Sequence, residues 1–345
     1  MPAWQNWMHR QAAAYRPAAA RALELFPIEP ATVELVAHSE NVTFRVTARE
    51  TGTDYTLRLH RPGYNSLEEL DSERAWATAL DDAGIPVPRS LPSRHGRHFE
   101  PVEIPETGET RYAGMTTWLP GTPLSGHLDA NPDTAFRQRL FRTIGAIAAR
   151  IHNQSSRWQA PPGFTRPRLD GDGLLGENPR WGRFWEHADL TETDRTLLLA
   201  ARRSAADTLG DYGERPDTFS LIHADLHPEN LVYDGDALAL IDFDDSAYGW
   251  HMYDLASALI EYRDAPDYAR LEAALLEGYQ QHRPLESRDI EMLPVFLMIR
   301  GMAVIGWFHQ RPEHAGSSFL TAVKERVLDD CRRLRLGLPS PAWTD

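Results

Sequence analysis

Cysteine is nearly absent from this 345-residue chain, and Cys331 stands alone. One thiol permits no intramolecular disulfide and no Cys-based zinc site. It follows an apolar helical stretch and is expected to be buried. Basic excess is missing as well. The formal net charge is −14, so the chain lacks the counterion-displacing surface of a general nucleic-acid binder. Such charge suits a cationic small substrate and bound metal, or a surface tuned for solubility. Met1-Pro2-Ala3-Trp4 opens the chain without a basic segment leading into an apolar one, so no secretion signal is expected. Long hydrophobic runs are also lacking. The most apolar stretch, Met292 to Phe308, is interrupted by Arg300, Gly301 and Gly306. It is too short for a membrane span and reads as a buried helix. No nucleic-acid or membrane partner is expected, and the compartment is expected to be cytoplasmic.

Core-forming residues are plentiful. Hydrophobic residues make up 42% of the chain, with ten Trp and twelve Phe, which allows one large domain or two lobes. Trp4 to Leu25 reads as a helix. In Val42–Ala48, Val42, Phe44 and Val46 alternate with polar residues. Tyr55, Leu57 and Leu59 do the same in the following segment, and Glu50-Thr51-Gly52-Thr53-Asp54 turns between them. The pattern predicts a β-hairpin with one buried face. Ser66 and Glu69 have capping-box spacing at the start of a helix that Gly84 ends. Extended segments follow at about 98–104 and 110–119. Past Pro120-Gly121-Thr122-Pro123 the pattern turns helical. Phe136, Leu140, Ile144, Ile147 and Ile151 share one face behind an Asp133 cap, and helices are expected at about 193–209, 251–263, 267–281, 287–309 and 317–335. The expected organisation is α+β and bilobal: a small β-rich lobe over 1–119 and a larger, mainly helical lobe over 120–345, with a short hairpin at 231–241.

The chemistry concentrates around that hairpin. Leu231-Val232-Tyr233 and Ala237–Ile241 flank Asp234-Gly235-Asp236, a strong turn signal. Folding it brings Asp225 and Asn230, before one strand, toward Asp242, Asp244 and Asp245, after the other. Hard cations such as Mg²⁺ take oxygen ligands and keep several waters, so one carboxylate and one amide oxygen suffice when phosphates supply the rest. Phosphoryl transfer asks mainly for positioning and charge neutralisation. Asp225 is the expected base or orienter, and Asn230 and Asp242 are the expected metal ligands.

His223-x-Asp225-(x)4-Asn230, a hairpin, and then Ile241-Asp242-Phe243-Asp244 resemble the kinase catalytic loop and the metal-binding Asp that follows it. With His-Pro-Glu-Asn inside the loop, the chain resembles the aminoglycoside phosphotransferase and choline kinase superfamily, of protein-kinase-like fold. It is most similar in flavour to the stress-response kinase and type II homoserine kinase branches. Asp-Phe-Asp stands where eukaryotic protein kinases have Asp-Phe-Gly, which fits the small-molecule branch. The resemblance implies further roles. Arg58, on the strand where the family places a phosphate-contacting Lys, and Glu73, as its ion-pair partner, belong to nucleotide binding. Ser39 and Asn41 fall in the phosphate-covering loop, and Thr117 and Leu119 in the hinge that pairs with adenine. The implied activity moves the γ-phosphate of ATP, with Mg²⁺, to the hydroxyl of a small acceptor such as an amino alcohol, amino acid or amino sugar.

Several choices stay open at this level. A bacterial stress-response-type protein Ser/Thr kinase is the alternative, with a metal-dependent hydrolase built on His223, Asp225, His227 and Asp242, or a pseudokinase, behind it. His223 is expected to buttress the loop. His227 either meets substrate or caps the loop. Asp244 and Asp245 either support the site or form an exposed acidic turn. Asp254 is expected as a cap or a loop-stabilising partner. Arg300, inside an apolar helix, requires a partner, and a structural carboxylate is favoured over an anionic substrate group. Pro161–Phe164 and Trp181–Trp185 are candidates for the acceptor pocket.

Overall fold

The computed structural model describes residues 3–38, 41–314 and 316–336. They run in the order α1 (Ala3–Leu25), β1 (Pro30–His38), β2 (Val42–Ala48), β3 (Asp54–Leu59), α2 (Leu67–Asp82), β4 (Ser90–Leu91), β5 (Phe99–Glu103), β6 (Thr110–Thr117), β7 (Thr122–Pro123), α3 (Leu124–Ala130), α4 (Thr134–Ser155), β8 (Arg168–Leu169), α5 (Gly171–Leu175), α6 (Glu192–Tyr212), β9 (Phe219–Ile222), β10 (Leu231–Tyr233), β11 (Leu238–Leu240), β12 (Ala247–Trp250), α7 (His251–Leu259), α8 (Tyr268–Gln280), α9 (Ser287–His309) and α10 (Ser318–Leu336). Two compact units result. One holds the chain up to Gly121 with Gln159–Arg166 and Val232–Asp244. The other holds Thr122–Trp158, Pro167–Leu231 and the chain from Asp245.

The first unit is an antiparallel sheet in the order β1-β2-β3-β6-β4, with β5 also on β6. The alternation in β2 and β3 does what its period requires. Val42, Phe44, Val46, Leu57 and Leu59 are fully buried, and Ala18, Ala19 and Ala22 of α1, with Phe26 just past its end, join them in one core. Arg58, between two buried leucines, therefore lies on the opposite face of the sheet. Its register neighbours are Thr43 on β2 and Gly114 on β6. The α2 capping box forms as the Ser66/Glu69 spacing predicts: Ser66 Oγ accepts from Glu69 N and Glu69 Oε2 accepts from Ser66 N. Strand β1 had no sequence expectation. Its burial pattern lacks clean alternation, as an outer strand allows.

The Val232–Asp244 segment was expected with the helical lobe and instead falls in the first unit. Gln159–Arg166, which includes the Pro161–Phe164 candidate for the acceptor pocket, does so too.

The second unit is mainly helical around a small sheet, β8-β12-β9, which also had no sequence expectation. Strand β12 runs straight into α7, and every residue of α7 is buried. Helix α9 is long and apolar enough to cross a membrane by length and composition, yet 72% of its most apolar window is buried inside the protein. Cys331 is buried, as expected.

Candidate active site

The site residues fall into two groups, one in each unit, joined along the chain by the β10–β11 hairpin. In the second unit, β9 delivers the segment from His223 onward, and a 3₁₀ turn at Pro228–Asn230 closes it. Ala224 adopts a left-handed backbone with φ of 67°. A side chain disfavours that conformation, so its surroundings must hold it. Asp254, fully buried on α7, does so. Its carboxylate accepts from His223 N at 3.0 Å and Ala224 N at 2.7 Å. His152 Nε2 stands 3.0 Å from the same carboxylate, and its Nδ1 stands 2.9 Å from Tyr279 Oη. Burial lowers the His152 pKa well below normal, so the ring is neutral and has one N–H, for Asp254. Burial also pushes the Asp254 carboxyl up to about 6. Asp254 is the loop-stabilising partner that its sequence position allowed.

Asp225 follows this fixed backbone. Its own N–H donates to His223 Nδ1 at 3.3 Å, and His223 is fully buried, which makes that histidine a buttress. Asn230 Nδ2 donates to Asp225 O and Oδ2, both at 3.0 Å. His227 Nε2 lies 3.2 Å from Oδ2, and Arg300 Nη2 binds Oδ1. Burial alone would raise the Asp225 pKa, but the positive charges of His227 and Arg300 outweigh it and hold the carboxyl well below the usual range. Arg300 had been expected to pair with a structural carboxylate. Its partner is the candidate catalytic one, and the signal was one charge inside an apolar run. The rings of Trp181 and Tyr253 flank the guanidinium, at 5.8 and 5.9 Å. Trp181 is 5% exposed, so it packs as core.

His227 also reaches Glu261, 3.5 Å from Nδ1. Its burial lowers the pKa, but Asp225 and Glu261 overcome that and raise it to about 10. The sign follows directly. A histidine with a raised folded pKa adds stability that is complete below its unfolded value near 6.5 and is lost as pH rises through 10. Wild type is therefore expected to exceed His227→Gln by about 2 kcal/mol near neutrality. In urea unfolding that margin should shrink steadily toward the alkaline end. A margin that does not change with pH would mean His227 is neutral in the folded protein.

In the first unit, Arg58 Nη1 donates to Asp242 Oδ1 and Asp244 Oδ1, each at 3.0 Å. The ion pair expected between Arg58 and Glu73 is not formed. Two carboxylates on the turn after β11 take the guanidinium, and Glu73 keeps a buried Oε2 with no hydrogen-bond partner. Burial, with Asp244 nearby, pushes the Glu73 carboxyl up to about 8. Lys324 is the single lysine of the chain, so an arginine on β3 follows the composition of the whole sequence. Asp242 has φ of 63° and a side chain 37% exposed; Asp244 is 14% exposed. Asp244 is thus no exposed acidic turn. It also binds Asn41 Nδ2, while Asn41 Oδ1 accepts from Arg61 N at 2.9 Å. Asp245 belongs to the second unit and is half-buried.

Ser39 lies outside the described residues. Of the hinge pair, Thr117 is committed to the fold: its N donates to Arg89 O and its Oγ1 accepts from Arg89 N, both at 2.9 Å. The Leu119 amide makes no hydrogen bond to backbone among the described residues. Sequence reasoning missed Glu261, beside His227, and Asn65 and Arg166, which donate to Asp244 O at 3.1 and 2.7 Å; none of the three carries a motif.

Asp242 offers a carboxylate oxygen. Asn230 offers its amide oxygen, because its nitrogen is already committed to Asp225. Each is a hard oxygen donor of the kind that a divalent cation such as Mg²⁺ takes. The hydrolase alternative fits poorly. His223 Nδ1 and both nitrogens of His227 face protein partners. Among the described residues, no three His, Cys, Asp or Glu are grouped to hold a metal.

Residues 32–285 match the phosphotransferase enzyme family. A microcompartment-associated aminopropanol kinase superposes with a TM-score of 0.79 at 30% identity, covering 93% of this chain and 98% of that one. An amicoumacin kinase in complex with AMP-PNP and Ca²⁺ superposes with a TM-score of 0.74 at 22% identity, covering 93% and 96%. The homoserine kinase of Pseudomonas aeruginosa is 29% identical over 275 residues, 76% of this chain and 75% of that protein. With the match spanning most of the chain and the kinase-like fold shared, the chain belongs to the phosphotransferase enzyme family and is a kinase.

Proposed function

We propose that this kinase moves the γ-phosphate of ATP, bound with Mg²⁺, onto the hydroxyl of a small amine-bearing molecule, an amino alcohol or a hydroxy amino acid. The observation that carries the proposal is the Asp225 carboxylate, which Asn230 Nδ2 holds at 3.0 Å and which His227, at 3.2 Å, and Arg300 keep ionised. So acidic a group is a weak base in the ground state. In a loose phosphoryl-transfer transition state the acceptor hydroxyl needs orientation first and loses its proton late, and a fixed carboxylate suits that work. Asn230 and Asp242 hold the cation, which neutralises phosphate charge when bound. Arg58 supplies a fork for phosphate oxygens once Asp242 turns to the metal. The Leu119 backbone pairs with adenine. An amine on the acceptor is supported by the aminopropanol and homoserine kinase relatives and by the acidic balance of the chain. A cytoplasmic location accords with ATP as donor.

The test is acceptor-dependent ADP release by purified protein with Mg²⁺–ATP. The panel holds aminopropanol, ethanolamine, choline, homoserine, serine and aminoglycosides. Turnover is expected on a short amino alcohol or hydroxy amino acid. No release with any acceptor, together with labelling of lysate proteins from radioactive ATP, would replace this proposal with a protein kinase.

A further inference from the structure

We propose that Arg166 is a positioning residue for the metal site, and that Gln159–Arg166 straps down the turn carrying Asp242. The inference rests on the assignment of Asp242 to the metal. Asp242 leaves β11 in a left-handed conformation that must be held from outside. The Arg58 contact is poorly suited to that task, because it uses the carboxylate that must turn to a cation.

The contacts that leave the carboxylate free come from elsewhere. Arg166 Nη2 donates to Asp244 O at 2.7 Å and Phe243 O at 3.3 Å. Its Nη1 donates to Glu69 O on α2 at 3.2 Å. Asn65 Nδ2 adds a bond to Asp244 O at 3.1 Å, and Trp76 of α2 meets the Phe243 ring edge-to-face at 5.6 Å. Arg166 is 6% exposed, so this cation was taken out of water to grip carbonyls from two segments at once. A planar guanidinium spans such a set; an ammonium, a point charge, does not. The strap is itself pinned. Thr165 N donates to Ser72 Oγ at 2.9 Å, and Ser72 Oγ donates to Glu68 O at 2.7 Å. Arg166 thus ties the first turns of α2 to the backbone beside Asp242, and neither tie is broken when the carboxylate rotates toward a metal.

The test reads nucleotide binding directly, with a fluorescent ATP analogue titrated in Mg²⁺ and again in EDTA. Arg166→Ala and Arg166→Lys should each lose about tenfold of the affinity gained from Mg²⁺, with EDTA binding unchanged. The Mg²⁺ concentration for half-maximal turnover should rise while the acceptor KM stays put. A purely structural role would lower the melting temperature and leave the Mg²⁺ gain intact. Asp242→Asn serves as the reference. If it abolishes the gain and folded Arg166 variants keep it, the strap inference is overturned and the metal assignment stands. If Asp242→Asn keeps the gain, the assignment falls and the inference with it. Should Arg166→Ala fail to fold, Arg166→Lys and Ser72→Ala decide, and a wild-type Mg²⁺ gain in both overturns the proposal.

Discussion

Asp225→Asn should lower kcat by about 1,000-fold while leaving the KM for ATP nearly unchanged. The substitution keeps the shape of the side chain and removes its capacity to take a proton. It also removes the negative charge that His227 and Arg300 face, and uncompensated buried cations are costly, on the order of 3–5 kcal/mol. Thermal unfolding must therefore accompany the kinetics, with rates normalised to folded protein. Arg300→Met separates the two effects. Losing this cation lets the Asp225 pKa climb toward the ordinary carboxylate range. The ionised fraction then declines at a higher pH, so the acid limb of the kcat profile moves toward neutrality. Methionine keeps the aliphatic packing beside Trp181 and Tyr253. Folded Asp225→Asn with wild-type kcat would eliminate the base or orienter assignment, and an unmoved acid limb in Arg300→Met would show that this ion pair does not set the Asp225 charge.

Gly278→Ala should destabilise the second unit by about 3 kcal/mol, and Gly145→Ala by a similar amount. These glycines sit where α4 and α8 touch. A Cβ on Gly278 would lie 1.9 Å from Arg142 O, and one on Gly145 would lie 2.0 Å from Leu275 O. Both obstacles are helix backbone, so no side chain swings aside and the axes must part. Parting them disturbs the buried contact between His152 of α4 and Tyr279 of α8, 2.9 Å apart at Nδ1 and Oη. One outward shift relieves both clashes, so the double variant should lose less than the sum of the singles. Urea unfolding of the three proteins measures this. Losses near zero would mean that the helices do not cross this closely in solution.

Much of this protein was legible from sequence alone, and the reason is periodicity and local turn chemistry. Alternation in Val42–Ala48 fixed a strand and its buried face. Ser66 and Glu69 fixed a helix start, because a capping box acts over three residues. The 3.6-residue spacing from Phe136 to Ile151 fixed α4. The spacing of His223, Asp225, Asn230 and Asp242 pointed to phosphoryl transfer because that chemistry asks for few side chains and these stand close in sequence.

Partnership across long separations was decided by tertiary structure. Arg58 was expected on Glu73, fifteen residues away, and bonds instead to Asp242 and Asp244. The energy of a guanidinium depends on which carboxylates the fold brings within reach, and a sequence does not rank them. Arg300 announced that it needed a carboxylate but not which one. Arg166 announced nothing, because its grip is on backbone carbonyls, which every residue carries. The left-handed conformations of Ala224 and Asp242 were likewise silent, since neither position is a glycine. They exist because Asp254 and the contacts around Asp244 over-determine the backbone there. Sequence determined which elements form and which chemistry they carry; the tertiary structure decided which charge answers which.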